Sequence, residues 1–156
     1  MRILTETLIE KYQDNVYRAA YNVLRNPSDA EDVTQDVFVR YHTGTQEFDS
    51  EEHIRAWLLR VAVNRALDIC RNPFRNRQVS WEDYEYSIPF QDEESAALFE
   101  AVMSLPRKYR ILIHLYYYEG FSVREISGIL KMTEGSVRTG MHRARKLLKK
   151  QMEDKR

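Results

Sequence analysis

Apolar residues Leu8, Tyr12, Val16, Ala19, Ala20, Val23 and Leu24 recur at steps of three and four, the spacing that lines one face of a helix. Asn26-Pro27 stops that helix, and Ser28 followed three residues later by Glu31 predicts a capping box opening a second helix over about Asp29 to Tyr41. Its apolar face is Ala30, Val33, Val37, Phe38 and Tyr41, with Asp29, Asp32 and Asp36 along another side. Gly44 to Ser50 reads as a loop. A third helix, about Glu51 to Arg71, carries Ile54, Trp57, Leu58, Val61, Ala62 and Ile69 and ends before Asn72-Pro73, because the residue preceding proline disfavours helical angles.

The pattern then lapses. Between Asn72 and Glu94 there are two prolines, Pro73 and Pro89, a dense acidic set and no sustained period, which predicts a linker despite the rings of Phe74, Trp81, Tyr84, Tyr86 and Phe90. Periodicity returns with Ala97, Leu98, Ala101, Val102 and Leu105 and breaks at Pro106. A further helix, about Lys108 to Tyr118, ends at Glu119-Gly120, where glycine can take the left-handed cap conformation. Ser122 with Glu125 forms a second capping-box signature and opens a short helix bearing Ile126, Ile129 and Leu130. Lys131-Met132-Thr133 is a turn, and Thr133 can cap a longer last helix with Val137, Met141, Ala144, Leu147 and Leu148 on its apolar face. No strand alternation and no internal repeat is present. The expected fold is all-α: two small helical domains, residues 1–75 and 95–156, joined by a flexible acidic linker over residues 76–94.

Composition fits that division. The 156 residues are 43% hydrophobic and 31% charged, enough apolar material for cores. One cysteine, Cys70, makes neither an internal disulfide nor a multi-thiolate zinc site, no signal sequence is evident, and no apolar run approaches the roughly 20 residues that cross a bilayer. A soluble protein of a reducing cytoplasm is expected. Net charge is zero, yet the total conceals a segregation: −2 over residues 1–75, −6 over 76–100 and +8 over 101–156. The basic end is therefore the part suited to nucleic acid.

Two helices joined by a short turn, the first short and capped, the second long and basic, describe a helix-turn-helix over Ser122 to Leu148. Such a unit needs a second helix with one face buried and the other free to enter a major groove roughly 12 Å wide. Arg138, Thr139, His142, Arg143 and Lys146 project away from the apolar face; arginine can pair with guanine, and lysine, arginine and threonine can hold phosphate. The plainer alternative is a solvated basic face on a helical hairpin.

The stretch LPRKYRILIHLYYYEGFSVREISGILKMTEGSVRTGMHRARKLL, Leu105 to Leu148, resembles the C-terminal promoter-reading domain of the extracytoplasmic-function sigma factors of bacterial RNA polymerase. AEDVTQDVFVRYH, Ala30 to His42, and IRAWLLRVAVNRALDICR, Ile54 to Arg71, resemble the signature helices of that family's other domain, in the same order. The resemblance implies an N-terminal domain that binds the polymerase core and captures the melted −10 element, and a C-terminal domain that reads the −35 element as duplex. It places Asp32, Gln35 and Asp36 on the polymerase-binding surface; without it the two aspartates are acids favoured by the helix dipole. It assigns the loop of Gln46, Glu47, Phe48 and Asp49 to a flipped base of the −10 element. Phe48 can supply a stacking ring or belong to the core. Arg60, Asn64, Asp68 and Arg71 recur at steps of four, four and three and make one polar row, the candidate single-strand surface. Trp57 stands where the family buries a tryptophan and is expected in the core.

Two departures stand out. Ser127 and Gly128 replace a usual alanine pair, and Gly140 stands where a basic residue is common. Glycine inside a helix costs about 1 kcal/mol relative to alanine; Gly140 reads either as a place of close backbone approach to DNA or as a weakly constrained position. Among other functions, an enzyme is disfavoured: there is no glycine-rich phosphate loop or HExxH, and His42, His53, His114 and His142 show no metal-ligand spacing. No catalytic residue, metal or cofactor is expected. The competing reading is a helix-turn-helix repressor or activator that never joins polymerase, which leaves the N-terminal motifs unexplained. The resemblance further implies promoter DNA, RNA polymerase core and an anti-sigma factor as partners.

Overall fold

The computed structural model describes residues 1–72 and 93–154, with side chains from residue 96 in the second stretch. The acidic linker expected over residues 76–94 lies almost wholly outside the described residues. The chain divides into two compact units within that interval. Every regular element described is helical.

The first unit holds α1 (Thr5–Leu24), α2 (Pro27–Thr43) and α3 (Glu51–Arg71). Each of the three packs on the other two. Leu8, Val16 and Ala20 from α1, Val33 and Val37 from α2, and Ile54, Leu58 and Ala62 from α3 are fully withdrawn from water. Burying each valine, leucine or isoleucine of this set contributes about 1.5–3 kcal/mol, and each alanine methyl less. A Lys11 ammonium 2.7 Å from the Glu51 carboxylate links α1 to the start of α3, and that bond holds the Glu51 carboxyl below the usual carboxylate range.

The junction of α1 and α2 corrects the expected capping box. Arg25 takes a left-handed conformation (φ 54°) and its N–H closes on the Tyr21 carbonyl. Asn26, not Ser28, is the N-cap: its side chain accepts from the Asp29 N–H at 3.1 Å, and Pro27 sits in the first turn. Proline at the first helical position loses only an N–H that would have no partner there, so Asn26-Pro27 starts the next helix as well as stopping the last. At α3 the predicted bounds hold, with Ser50 capping the His53 N–H. Trp57, expected in the core, is only half-buried, with its ring against those of Tyr41 and Phe48.

The second unit comprises α4 (Glu93–Met103), α5 (Arg107–Ile113), a π turn (His114–Tyr118), α6 (Val123–Leu130) and α7 (Glu134–Asp154). The predicted continuous helix to Tyr118 is thus α only to Ile113. It then widens by one residue per turn, with the Glu119 N–H on the His114 carbonyl at 3.0 Å. Gly120, at φ 73°, ends it as expected, and the Phe121 N–H closes on the Leu115 carbonyl. α7 packs against α4, α5 and α6. Polar groups enter this interior: Arg110 is fully buried and donates to the Leu105 carbonyl at 3.0 Å, and His114 lies 3.2 Å from Glu119 with both side chains withdrawn from water.

Gly140 has a reason neither sequence reading supplied. A Cβ there would lie 2.5 Å from Leu112 Cδ1, so this glycine lets α7 approach α5. Leu147, assigned to the apolar face, is instead 38% exposed; Val137, Met141 and Ala144 carry the burial.

Candidate nucleic-acid interface

The α6–turn–α7 unit is assembled by local signals. Both halves of the Ser122–Glu125 capping box are made: the Glu125 N–H donates to the serine hydroxyl at 3.1 Å, and the Ser122 N–H to the glutamate carboxylate at 2.9 Å. Lys131 turns the chain in the left-handed region (φ 56°), and its N–H caps α6 at the Ser127 carbonyl. The Ser127 hydroxyl donates to the Met132 carbonyl, which gives this departure from alanine a role in closing the turn. Thr133 accepts from the Ser136 N–H at 3.1 Å and starts α7.

On α7 the buried face is Val137, Met141 and Ala144, and all five predicted DNA contacts, Arg138, Thr139, His142, Arg143 and Lys146, are exposed. Arg138 pairs loosely with Glu134 one turn earlier, at 3.7 Å. Arg143 and Lys146 share a shallow groove with Tyr109, Leu147 and Lys150, so the cationic face reaches the start of α5. An exposed pair of this kind contributes little to stability, so the cations remain available to phosphate. Arg145 belongs to the same solvent side and was missed, although its place seven residues after Arg138, about two turns, was visible in the sequence.

In the first unit the predicted residues separate. Asp32 and Gln35 are exposed on α2, whereas Asp36 is half-buried, 3.1 Å from Arg40 and 3.5 Å from Arg65 of α3. Asp36 therefore has a structural task. Arg60, Asp68 and Arg71 are exposed and Asn64 half-exposed along α3, with Asp68 and Arg71 3.9 Å apart.

Phe48 is corrected from DNA contact to core. It is 3% exposed, its ring enclosed by Tyr41, His53 and Trp57 at centroid distances of 5.9, 5.1 and 5.8 Å. An enclosed ring has no free face for a base. Gln46, Glu47 and Asp49 around it are exposed, so the ring anchors a loop whose polar residues face water. Residues 1–3 strap that loop, a contact the sequence did not suggest. The Phe48 N–H donates to the Met1 carbonyl at 3.2 Å, and Tyr41 Oη accepts from the Ile3 N–H and donates to the Ile3 carbonyl. The Arg2 guanidinium lies 4.3 Å over the Tyr41 ring and donates to the carbonyls of Tyr41 and Gln46.

Among the described residues no cluster of His, Cys, Asp and Glu is suited to a metal, and no helix is long and apolar enough to cross a membrane.

Residues 8–75 match the family model of Sigma-70 region 2, and residues 95–148 that of Sigma-70 region 4. The chain is 30% identical to the ECF RNA polymerase sigma factor SigW of Bacillus subtilis, over 94% of this chain and 88% of that protein. It is 26% identical to the RNA polymerase sigma factor SigV of the same organism, over 97% and 92% respectively. In fold it resembles the sigma factor RpoE from Bartonella quintana, solved in complex with the anti-sigma factor NepR (TM-score 0.75, 19% identity, 97% of this chain and 98% of that one). A similar likeness extends to CnrH in complex with the cytosolic domain of CnrY (TM-score 0.68, 24% identity, 96% and 88%).

Proposed function

The chain belongs to the ECF family of RNA polymerase sigma factors, and from that premise we propose how its residues divide the work. As a sigma factor it binds RNA polymerase core and directs promoter-specific initiation, acting by binding rather than by bond-making chemistry. Residues 1–75 take the polymerase and the melted −10 strand, residues 76–94 link, and residues 95–156 read the −35 duplex. α7 enters the major groove with Arg138, Thr139, His142, Arg143 and Lys146 toward DNA. The single observation that carries this assignment is that all five are exposed on a helix whose other face is closed by Val137, Met141 and Ala144.

The −10 strand is assigned to Asp49 of the strapped loop and to the row Arg60, Asn64, Asp68 and Arg71. The polymerase is assigned to Asp32 and Gln35, with Asp36 at the edge of that surface. A cytoplasmic location follows from a polymerase partner. An anti-sigma factor is a further partner, supported by the structurally similar RpoE, solved with one bound.

The test is reconstitution: the purified chain added to core polymerase should give transcripts from a restricted set of promoters in a genomic library. A repressor or activator that never joins core would give none and would not co-elute with it.

A further inference from the structure

Of the three consecutive tyrosines that follow α5, Tyr116 is half-buried and Tyr118 stacks on the buried His114, whereas Tyr117 serves neither the core nor the assigned surfaces. Tyr117 is 54% exposed and Tyr118 46%, unusual for rings beside a well-formed interior. They lie in the π turn, where one extra residue shifts every following side chain by one position relative to a continuous α-helix; such turns recur at functional sites. Across from them stands Arg145 of α7. Its Nε donates to the Tyr117 hydroxyl at 2.6 Å, and its guanidinium lies 5.7 Å from the ring centroids of both Tyr116 and Tyr117. The two rings meet edge to face at 4.9 Å. An exposed arginine is ordinarily free to sample many rotamers; here one hydrogen bond and two ring faces restrict it. The bond engages Nε alone, and a guanidinium has four further N–H donors on its terminal nitrogens.

We propose that Tyr117 is a positioning residue for DNA binding: presented by the π turn, its hydroxyl holds Arg145 so that the terminal nitrogens meet a phosphate flanking the groove that α7 enters. The inference rests on the duplex-reading assignment of α7. Arg145 lies about two turns beyond Arg138 on one side of the helix, where a backbone contact would set register without reading sequence. Fixing the side chain beforehand lowers the ordering cost at binding. A purely structural bond, tying the π turn to α7, would show in stability and not in DNA affinity.

The experiment uses the full chain, short labelled duplexes of mixed sequence, and fluorescence anisotropy between about 50 and about 200 mM salt. R145A should weaken binding to all duplexes alike and lower the salt slope by about one. Y117F keeps the ring and removes the hydroxyl; it should weaken binding about three- to tenfold, with salt slope and melting temperature unchanged. In an R145A background Y117F should change nothing further. Wild-type affinity in Y117F, an equal loss in both backgrounds, or a loss matched by a fall in melting temperature overturns the proposal. R138A and K146A separate the two levels: if they weaken binding while the Tyr117 and Arg145 variants do not, only this inference fails. If all four bind as wild type, the reading of α7 fails with it.

Discussion

The two units place their titratable groups in opposite ways. In the first, the largest fully buried side chains are apolar or tyrosine, and charges tie helices together near the surface, as Asp36 does between Arg40 and Arg65. In the second, Arg110, His114 and Glu119 are inside, while the recognition helix leaves its cations in solvent. The contrast teaches where each unit is vulnerable. Charge changes at the surface of the first unit should separate cleanly into binding and stability effects, residue by residue. In the second, the buried polar groups and the exposed candidate DNA contacts are different residues, so fold and recognition should be separable by substitution.

The largest effect tests that buried cluster. His114→Leu removes a buried imidazole that lies 3.2 Å from the Glu119 carboxylate, 2% exposed, and stacks on Tyr118, and loss of a buried polar contact typically costs about 1–3 kcal/mol. The second unit should melt at a clearly lower temperature, followed by circular dichroism, while the first keeps its transition. A loss below about 1 kcal/mol would show that the contact contributes little and that the contrast between the units is one of position only.

Next in size are the exposed cations of α7. Arg138→Ala or Arg143→Ala should weaken binding to a −35 duplex by about 1–3 kcal/mol where the side chain reads a base, or lower the salt slope by about one where it holds a phosphate. Neither should alter the melting temperature, because substitutions away from packed features usually stay within about 0.5 kcal/mol. Unchanged binding in both variants would remove α7 as the reading helix.

Asp32 and Asp36 sharpen the contrast from the side of the first unit. The family resemblance grouped them on one polymerase-binding surface; the structure divides them by burial. Asp32→Lys should impair core-polymerase binding at unchanged stability. Asp36→Lys places a cation against Arg40 and Arg65 and should destabilise the unit by about 1 kcal/mol. Equal melting temperatures for the two variants would show that the link between α2 and α3 is idle.

What the sequence disclosed follows from the range of the forces involved. Helix bounds at α3, the box at Ser122 and Glu125, the Thr133 cap and the stop at Gly120 are decided within four residues and were legible. Two local signals competed at residues 26–31, and proline's preference for the first turn settled them in favour of Asn26. The exposed face of α7 followed from periodicity. Two features did not, because each needs a partner distant in the chain: Arg2 strapped over the loop and Gly140 set against Leu112; the sequence leaves Phe48 open between stacking ring and core, and the rings of Tyr41 and Trp57 decide it. The π turn was hidden for another reason: one inserted residue leaves the apolar pattern of a seven-residue helix almost unchanged.

Gly140 yields the smallest effect, one whose sign carries the information. Alanine improves an exposed helical position over glycine by about 1 kcal/mol. At Gly128 a new Cβ meets nothing within 4 Å, so Gly128→Ala should stabilise the second unit by about that amount. At Gly140 the same gain is opposed by a contact with Leu112, which is 3% exposed and can move only by displacing its neighbours. Overpacking of that kind costs about 1–3 kcal/mol, so Gly140→Ala should be neutral to destabilising by about 1–2 kcal/mol. Urea unfolding of both variants measures the difference between two glycines in one domain. If Gly140→Ala stabilises as much as Gly128→Ala, the α5–α7 approach is loose and Gly140 carries no packing role. If it destabilises, and Leu112→Ala in the same chain removes the penalty, the close approach of the two helices is the reason this position is glycine.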